Sequence, residues 1–170
     1  MLGSLTNTKN QELAIRALAS IRSSEISVKI AGDGPARKHL QDLTVELGLA
    51  DRIEFLGQLP HSASMELLQE AHCLLHCALG ETFGYVYFEA AARNVPVIAV
   101  RNSITEELIP ELIPGEEIEN SPTDLAEAIA RLQSTSIPPE AFRKAAGRRR
   151  EIFGRDAIAT AWLQALGGTR

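Results

Sequence analysis

Two carboxylates around a glycine, in the stretch GETFGYVYFEAA (residues 80–91), are the best candidates for chemistry in this chain. Glu81 and Glu89 are separated by seven residues and flank Gly84, at a point where a strand-like apolar run gives way to a helical one. A carboxyl pair that shares a proton, or that cleaves a glycoside, must sit close together. A helix rises about 1.5 Å per residue, so these acids can stand up to roughly 12 Å apart. Ionised carboxylates only accept hydrogen bonds, and a vicinal diol offers two donors. One acid on each side of a diphosphate can therefore hold one sugar each, which is the order of groups in a nucleotide-sugar. The phosphates would lie between them, on the amides of Gly84, Tyr85 and Val86 at a helix N-terminus.

The elements that would position these residues alternate between strand and helix. The segment MLGSL reads as the end of a strand that enters a loop at Thr6, and NQELAIRALASI as a helix with one apolar stripe. ISVKIAG, RIEFLG, HCLLHCAL and VPVIAV read as strands. PARKHLQDLTVELG reads as a helix with Pro35 in its first position, and SASMELLQEA as a helix capped by Ser62 or Ser64. Residues 101–120 carry two prolines and many acids and read as a loop with short elements. Helices follow from Pro122 onward, the last of them (139–167) containing Trp162 as a packing residue. This order implies βαβ units and an α/β fold with a doubly wound, Rossmann-like parallel sheet in a single domain.

Ligands of such sheets bind where strand ends lead into helix N-termini. Three loops fit that place: the one carrying Lys9, the one with Gly32 and Gly34, and the one with Gly80 and Gly84. Taken singly, each has a plainer account. Gly32 and Gly34 serve turn chemistry equally well, and Arg37 stands where a dinucleotide fingerprint needs its third glycine. Lys9 alone reads as a solvated charge and Glu89 as an exposed helix acid. Their combination is what points to a nucleotide-sugar.

Composition narrows the field. A net charge of −5 argues against a nucleic-acid partner, and no apolar run reaches the ~20 residues that span a bilayer. The two cysteines, four apart in one apolar run, make a poor disulfide framework, so the expected location is a reducing cytoplasm. His72, Cys73, His76 and Cys77 suggest zinc. On a strand, however, the histidines and the cysteines point to opposite faces, and buried cysteines are the better account. The basic cluster Arg143–Arg150 reads as a solvated helix face or as a surface meeting another domain. Peripheral contact with anionic lipid at the inner face of a membrane is the lesser alternative.

The stretches GDGPARKHLQDLTVELGLADRIEFLGQL and ETFGYVYFEAAARNVPVIAV resemble the C-terminal, donor-binding domain of GT-B glycosyltransferases of family 4. The likeness runs from Gly3 to about Leu132, and its most specific element is the family's Glu-x7-Glu motif, here Glu81 to Glu89. It implies one half of a GT-B fold in a retaining enzyme that transfers a hexose from a UDP- or GDP-linked sugar, with no metal and no other cofactor. It further implies that Glu81 contacts the transferred sugar and Glu89 the ribose hydroxyls. Phe83, Gly84, Tyr85 and Val86 would hold the phosphates, Lys9 would bind the diphosphate, and Gln58 and Leu59 would flank the base.

The chain departs from the family in three places. Ser4 stands where the family has an arginine that also clamps the diphosphate, and RNSITEE replaces a Gly-Gly turn, with Arg101 as a compensating charge at best. Asn94 replaces a glycine, but asparagine also adopts the left-handed conformation. The acceptor-binding N-terminal domain is absent, and a strand at the first residue points to a chain cut at a domain boundary. The expectation is a domain that binds donor without turnover. The alternative is a non-catalytic nucleotide-sugar-binding or partner-binding module, or a split subunit.

Overall fold

The computed structural model describes residues 1–109, 111–158 and 160. After an extended segment, residues 1–5, come a 3-10 turn (Asn7–Lys9) and α1 (Gln11–Ser20). Then follow β1 (Val28–Ala31), α2 (Arg37–Glu46), β2 (Ile53–Gly57), α3 (His61–Glu70), β3 (Leu74–His76) and α4 (Tyr85–Ala91). The chain continues through β4 (Val97–Val100), α5 (Ser103–Leu108), β5 (Gly115–Ile118), α6 (Pro122–Ser134) and α7 (Pro139–Phe153). All strand pairs are parallel, with β1 beside β2 in one group and β3–β4–β5 in the other. The chain thus winds outward from residues 1–5 through β1 to β2, crosses back by α3, and winds the other way through β3 to β5. This reversal is the topological switch point of a doubly wound sheet.

Residues 1–5 behave as the first strand although only Leu2 forms a β-bridge, to Ala31. The Ala31 amide donates to the Met1 carbonyl, Gly3 to Ala31, and Leu5 to Asp33. The approach is so close that a Cβ on Gly32, where φ is +141°, would fall 1.8 Å from the Gly3 carbonyl oxygen. That contact explains the first glycine of GDGP by packing. Two apolar clusters fill the domain. One joins Leu5, Ile15, Leu18, Ile30, Leu40 and Leu125. The other lies under α4, around Tyr87, Leu74, Val97 and Ile113.

Four expectations are corrected. GEEI, taken as loop, is the edge strand β5, paired with β4 from Gly115 to Ile118. An edge strand with one open face tolerates its two acids, which hid the strand pattern. α3 is capped by Pro60, with no side-chain cap from Ser62 or Ser64, because the extended proline (φ −56°, ψ 152°) leads straight into His61 and its carbonyl accepts from Ser64. α2 begins at Arg37, and Pro35 lies in the turn before it. HCLLHCAL contributes only Leu74–His76 to the sheet. Asn94 does adopt the left-handed conformation, with φ 58°. Trp162 lies outside the described residues.

Gly32→Ala is expected to lower the free energy of unfolding by at least about 2 kcal/mol in urea titration, since either the strand contact or the backbone must yield. Gly147→Ala, inside α7 with no atom within 4 Å of its added Cβ, is expected to raise it by about 0.5–1 kcal/mol.

Candidate functional site

The site is built where two loops meet at the switch point. Lys9 ends the 3-10 turn after residues 1–5, and Glu81 lies in the loop after β3. The Leu79 amide donates to the Thr8 carbonyl at 3.0 Å and joins the two loops. Lys9 Nζ then lies 2.9 Å from Glu81 Oε2. His76, the last residue of β3, places Nε2 3.2 Å from the same oxygen, while Glu81 Oε1 accepts from the Thr82 amide at 3.0 Å. Behind this cluster the His76 and Tyr87 rings meet edge to face, with centroids 4.9 Å apart. Tyr87 is fully buried, and its hydroxyl lies toward Asn102 without hydrogen-bond geometry.

These contacts set the charges. Partial burial opposes ionisation of Glu81, but the Lys9 hydrogen bond, the Thr82 amide and the Lys9 charge outweigh it and bring the carboxyl down to about 2. Burial is also the main influence on His76 and, with the positive charge of Lys9 beside it, lowers the imidazole to about 4 against the pull of Glu81. Near neutral pH the site therefore holds an ammonium, a carboxylate and a neutral imidazole. Burial pushes the Cys77 thiol up to about 12, so it is inert. Among the described residues no three His, Cys, Asp or Glu side chains gather as metal ligands.

Glu89 lies apart from this cluster, one turn into α4, with its Oε1 3.9 Å from His61 Nδ1. It therefore faces the start of α3, two residues beyond Leu59, which brings it toward the loop of exposed Gln58 and half-buried Leu59. Gly84 caps α4 in the left-handed conformation (φ 70°), and a Cβ there would strike the Tyr87 ring at 2.4 Å. Among the described residues the amides of Phe83, Gly84, Tyr85 and Val86 find no protein acceptor. Phe83 and Tyr85 stack on each other at the exposed lip, 4.6 Å between centroids.

The glycines at 32 and 34 back onto residues 1–5. Ser4 is exposed, and its carbonyl accepts from buried Gln11. Arg101 is engaged with Glu119 at 3.6 Å. A groove of 840 Å³ lies at the opposite, amino end of the strands, lined by Met1, Val28, Leu74, Ile129 and Phe142 among others, and holds none of the site residues. His76, weighed in the sequence only as a zinc ligand and set aside, joins the site, and its position at a strand's carboxyl end was the available signal.

A parallel α/β domain with a lysine and a glutamate converging at its switch point, and a second glutamate along the adjoining helix, has the form of one half of a GT-B glycosyltransferase. The family described as Glycosyl transferases group 1 matches residues 1–149, and the chain belongs to it. The GPI3 subunit of phosphatidylinositol N-acetylglucosaminyltransferase from Saccharomyces cerevisiae is 28% identical over 130 residues, covering 75% of this chain and 29% of that protein. Anabaena HepE in complex with UDP superposes with a TM-score of 0.80 at 22% identity, over 99% of this chain and 48% of its own. WaaG, a glycosyltransferase involved in lipopolysaccharide biosynthesis, gives 0.72 at 26% identity, over 92% and 43%. The chain thus spans less than a third of its yeast relative and about half of these two structures. The expected fold class and family resemblance both hold.

Both site groups titrate below their unfolded values of 6.5 and 4.5, so the unfolded chain takes up more protons on acidification and stability falls. His76 acts between pH 6.5 and about 4, and Glu81 between pH 4.5 and about 2. His76→Phe is expected to flatten the upper part of the stability-versus-pH curve, removing on the order of 1–3 kcal/mol of its slope between pH 7 and 4 in urea titrations.

Proposed function

We propose that this chain is the donor-binding domain of a retaining glycosyltransferase that transfers a hexose from a nucleotide-diphosphate sugar. The observation that carries the reading is the convergence of Lys9 and Glu81 at the switch point, beside a glycine-capped helix that bears Glu89. In this reading Lys9 and the amides of residues 83–86 hold the diphosphate, Glu89 the ribose, Glu81 the transferred sugar, and Gln58 and Leu59 flank the base. The UDP bound to HepE and the transferase names of the relatives support a nucleotide-sugar ligand.

The acceptor would be bound by a further domain or subunit, consistent with the share of its relatives that this chain spans. The donor needs no metal in this reading, because Lys9 and the helix amides supply the positive field. The protein would act in the cytoplasm, with the basic face of α7 available to anionic lipid. Among the described residues no helix is long and apolar enough to cross a membrane. One observation favours the alternative of a non-catalytic binding module: Ser4 carries no charge, and Arg101 is spent on Glu119. Leaving-group stabilisation would then rest on Lys9 and the helix amides, with no second side-chain charge.

Calorimetric titration with UDP, GDP, ADP and UMP tests the reading. One nucleoside diphosphate is expected to bind in preference to its monophosphate. Lys9→Ala should weaken that diphosphate by roughly 10-fold and the monophosphate by less, the worth of one charge-assisted hydrogen bond. Glu89→Gln should weaken both alike. Equal affinities in wild type and both variants would remove the assignment.

A further inference from the structure

We propose that His76 is a positioning residue of this site: a neutral imidazole whose Nε2–H holds the Glu81 carboxylate in the orientation that meets the transferred sugar. The proposal rests on the donor-binding reading above. Glu81 sits in a loop, and a carboxylate on three rotatable bonds needs fixed partners on both oxygens to hold its plane. Lys9 is an uncertain anchor for it, because a bound diphosphate competes for the same ammonium. The other two partners do not move with the ligand. The Thr82 amide holds Oε1, and His76 holds Oε2 from inside the sheet.

His76 itself is closely confined. It is 5% exposed, pairs in register with Ala99 of β4, and has its ring set edge to face against the fully buried Tyr87. An ionised carboxylate only accepts hydrogen bonds, so Nε2 must carry the proton. The titratable groups at the ring are Glu81 and Tyr87, with Lys9 across the shared carboxylate oxygen. Lys9 occupies the same carboxylate oxygen, and a second full positive charge there would be repelled while also losing its hydration. The imidazole therefore serves as a neutral donor with a fixed tautomer, and Tyr87 serves as the wall that sets its plane. A histidine that merely filled the core would need no acceptor at this place. An aromatic of similar size would do as well.

That contrast gives the test. Wild type, His76→Phe and His76→Gln are titrated calorimetrically with UDP, UDP-glucose, UDP-N-acetylglucosamine, GDP and GDP-mannose. Phenylalanine keeps the ring and loses the donor, whereas glutamine keeps an N–H donor. His76→Phe is expected to weaken the sugar conjugate at least fivefold and to leave the matching free diphosphate within twofold. His76→Gln is expected to recover most of that loss. Equal losses on conjugate and diphosphate, or none on either, would overturn the proposal. Nitrogen-15 NMR of the imidazole in wild type is expected to show the Nε2–H tautomer, unprotonated down to below pH 5. An Nδ1–H tautomer in a chain that does bind these nucleotides defeats the positioning role alone. If none of the five ligands binds wild type, the donor reading fails and the sugar-orienting role falls with it.

Discussion

The mouth of this domain depends on how closely the first segment of the chain lies against β1. Residues 1–5 are held to residues 31–33 by three backbone hydrogen bonds, at a separation that leaves no room for a side chain on Gly32. The same carbonyl that would clash with any Cβ there belongs to Gly3, so both partners are stripped to backbone at the crossing. This contact fixes where the 3-10 turn begins and therefore where Lys9 ends. An ion pair taken partly out of water is net favourable only when its geometry is good, because desolvation of the two charges opposes it. Here both partners arrive from restrained backbone, one from a short turn and one from a loop joined to that turn through Leu79 and Thr8.

The pair also governs what the acid can offer a ligand. Glu81 Oε2 accepts from Lys9 and His76, and Oε1 accepts from Thr82. A carboxylate has about four acceptor directions, so roughly one remains open. A vicinal diol asks for two. On the proposed reading, a diphosphate that draws Lys9 toward itself frees a second direction on Glu81, and the phosphate and sugar portions of one donor help each other to bind. His76, buried at the end of β3, and the Thr82 amide remain as partners of Glu81 in that case.

The parts of this site legible in the sequence were the local ones. The two glutamates and the glycine between them lie within nine residues, so a strand-to-helix transition is enough to relate them. Asn94 was legible for the same reason, since a left-handed turn is set by its own side chain and backbone. His76 was obscured by its context, because among two cysteines and a second histidine it invited only a zinc reading, and nothing nearby names its acceptor. Its partner Glu81 is five residues on, but only the turn through Gly80 folds that residue back over the strand end. β5 was lost for the opposite reason: its acids are tolerated by a sheet edge that no local pattern reveals. The meeting of Lys9 with Glu81 spans 72 positions. The α/β topology brought their two loops to one end of the sheet, but the direct contact of the side chains was not legible in the sequence.

The site as it stands is one wall. Phe83 and Tyr85 are stacked on each other with more than half of each side chain in solvent, and Leu79 beside them is half exposed. Two charges 4 Å apart attract by about 1 kcal/mol in water and by about 4 kcal/mol at the effective dielectric of a protein surface. On the proposed reading, a diphosphate resting on Lys9 and the helix amides of an open wall would be held nearer the lower figure, enough for recognition when several contacts add. Stabilising charge that develops on a leaving diphosphate requires the higher figure, and it is reached only when something covers the wall and expels water. Binding and turnover are therefore physically separable in this architecture. On the proposed reading the wall by itself would serve the first, and the exposed aromatic lip lies where a covering surface would have to pack to provide the second.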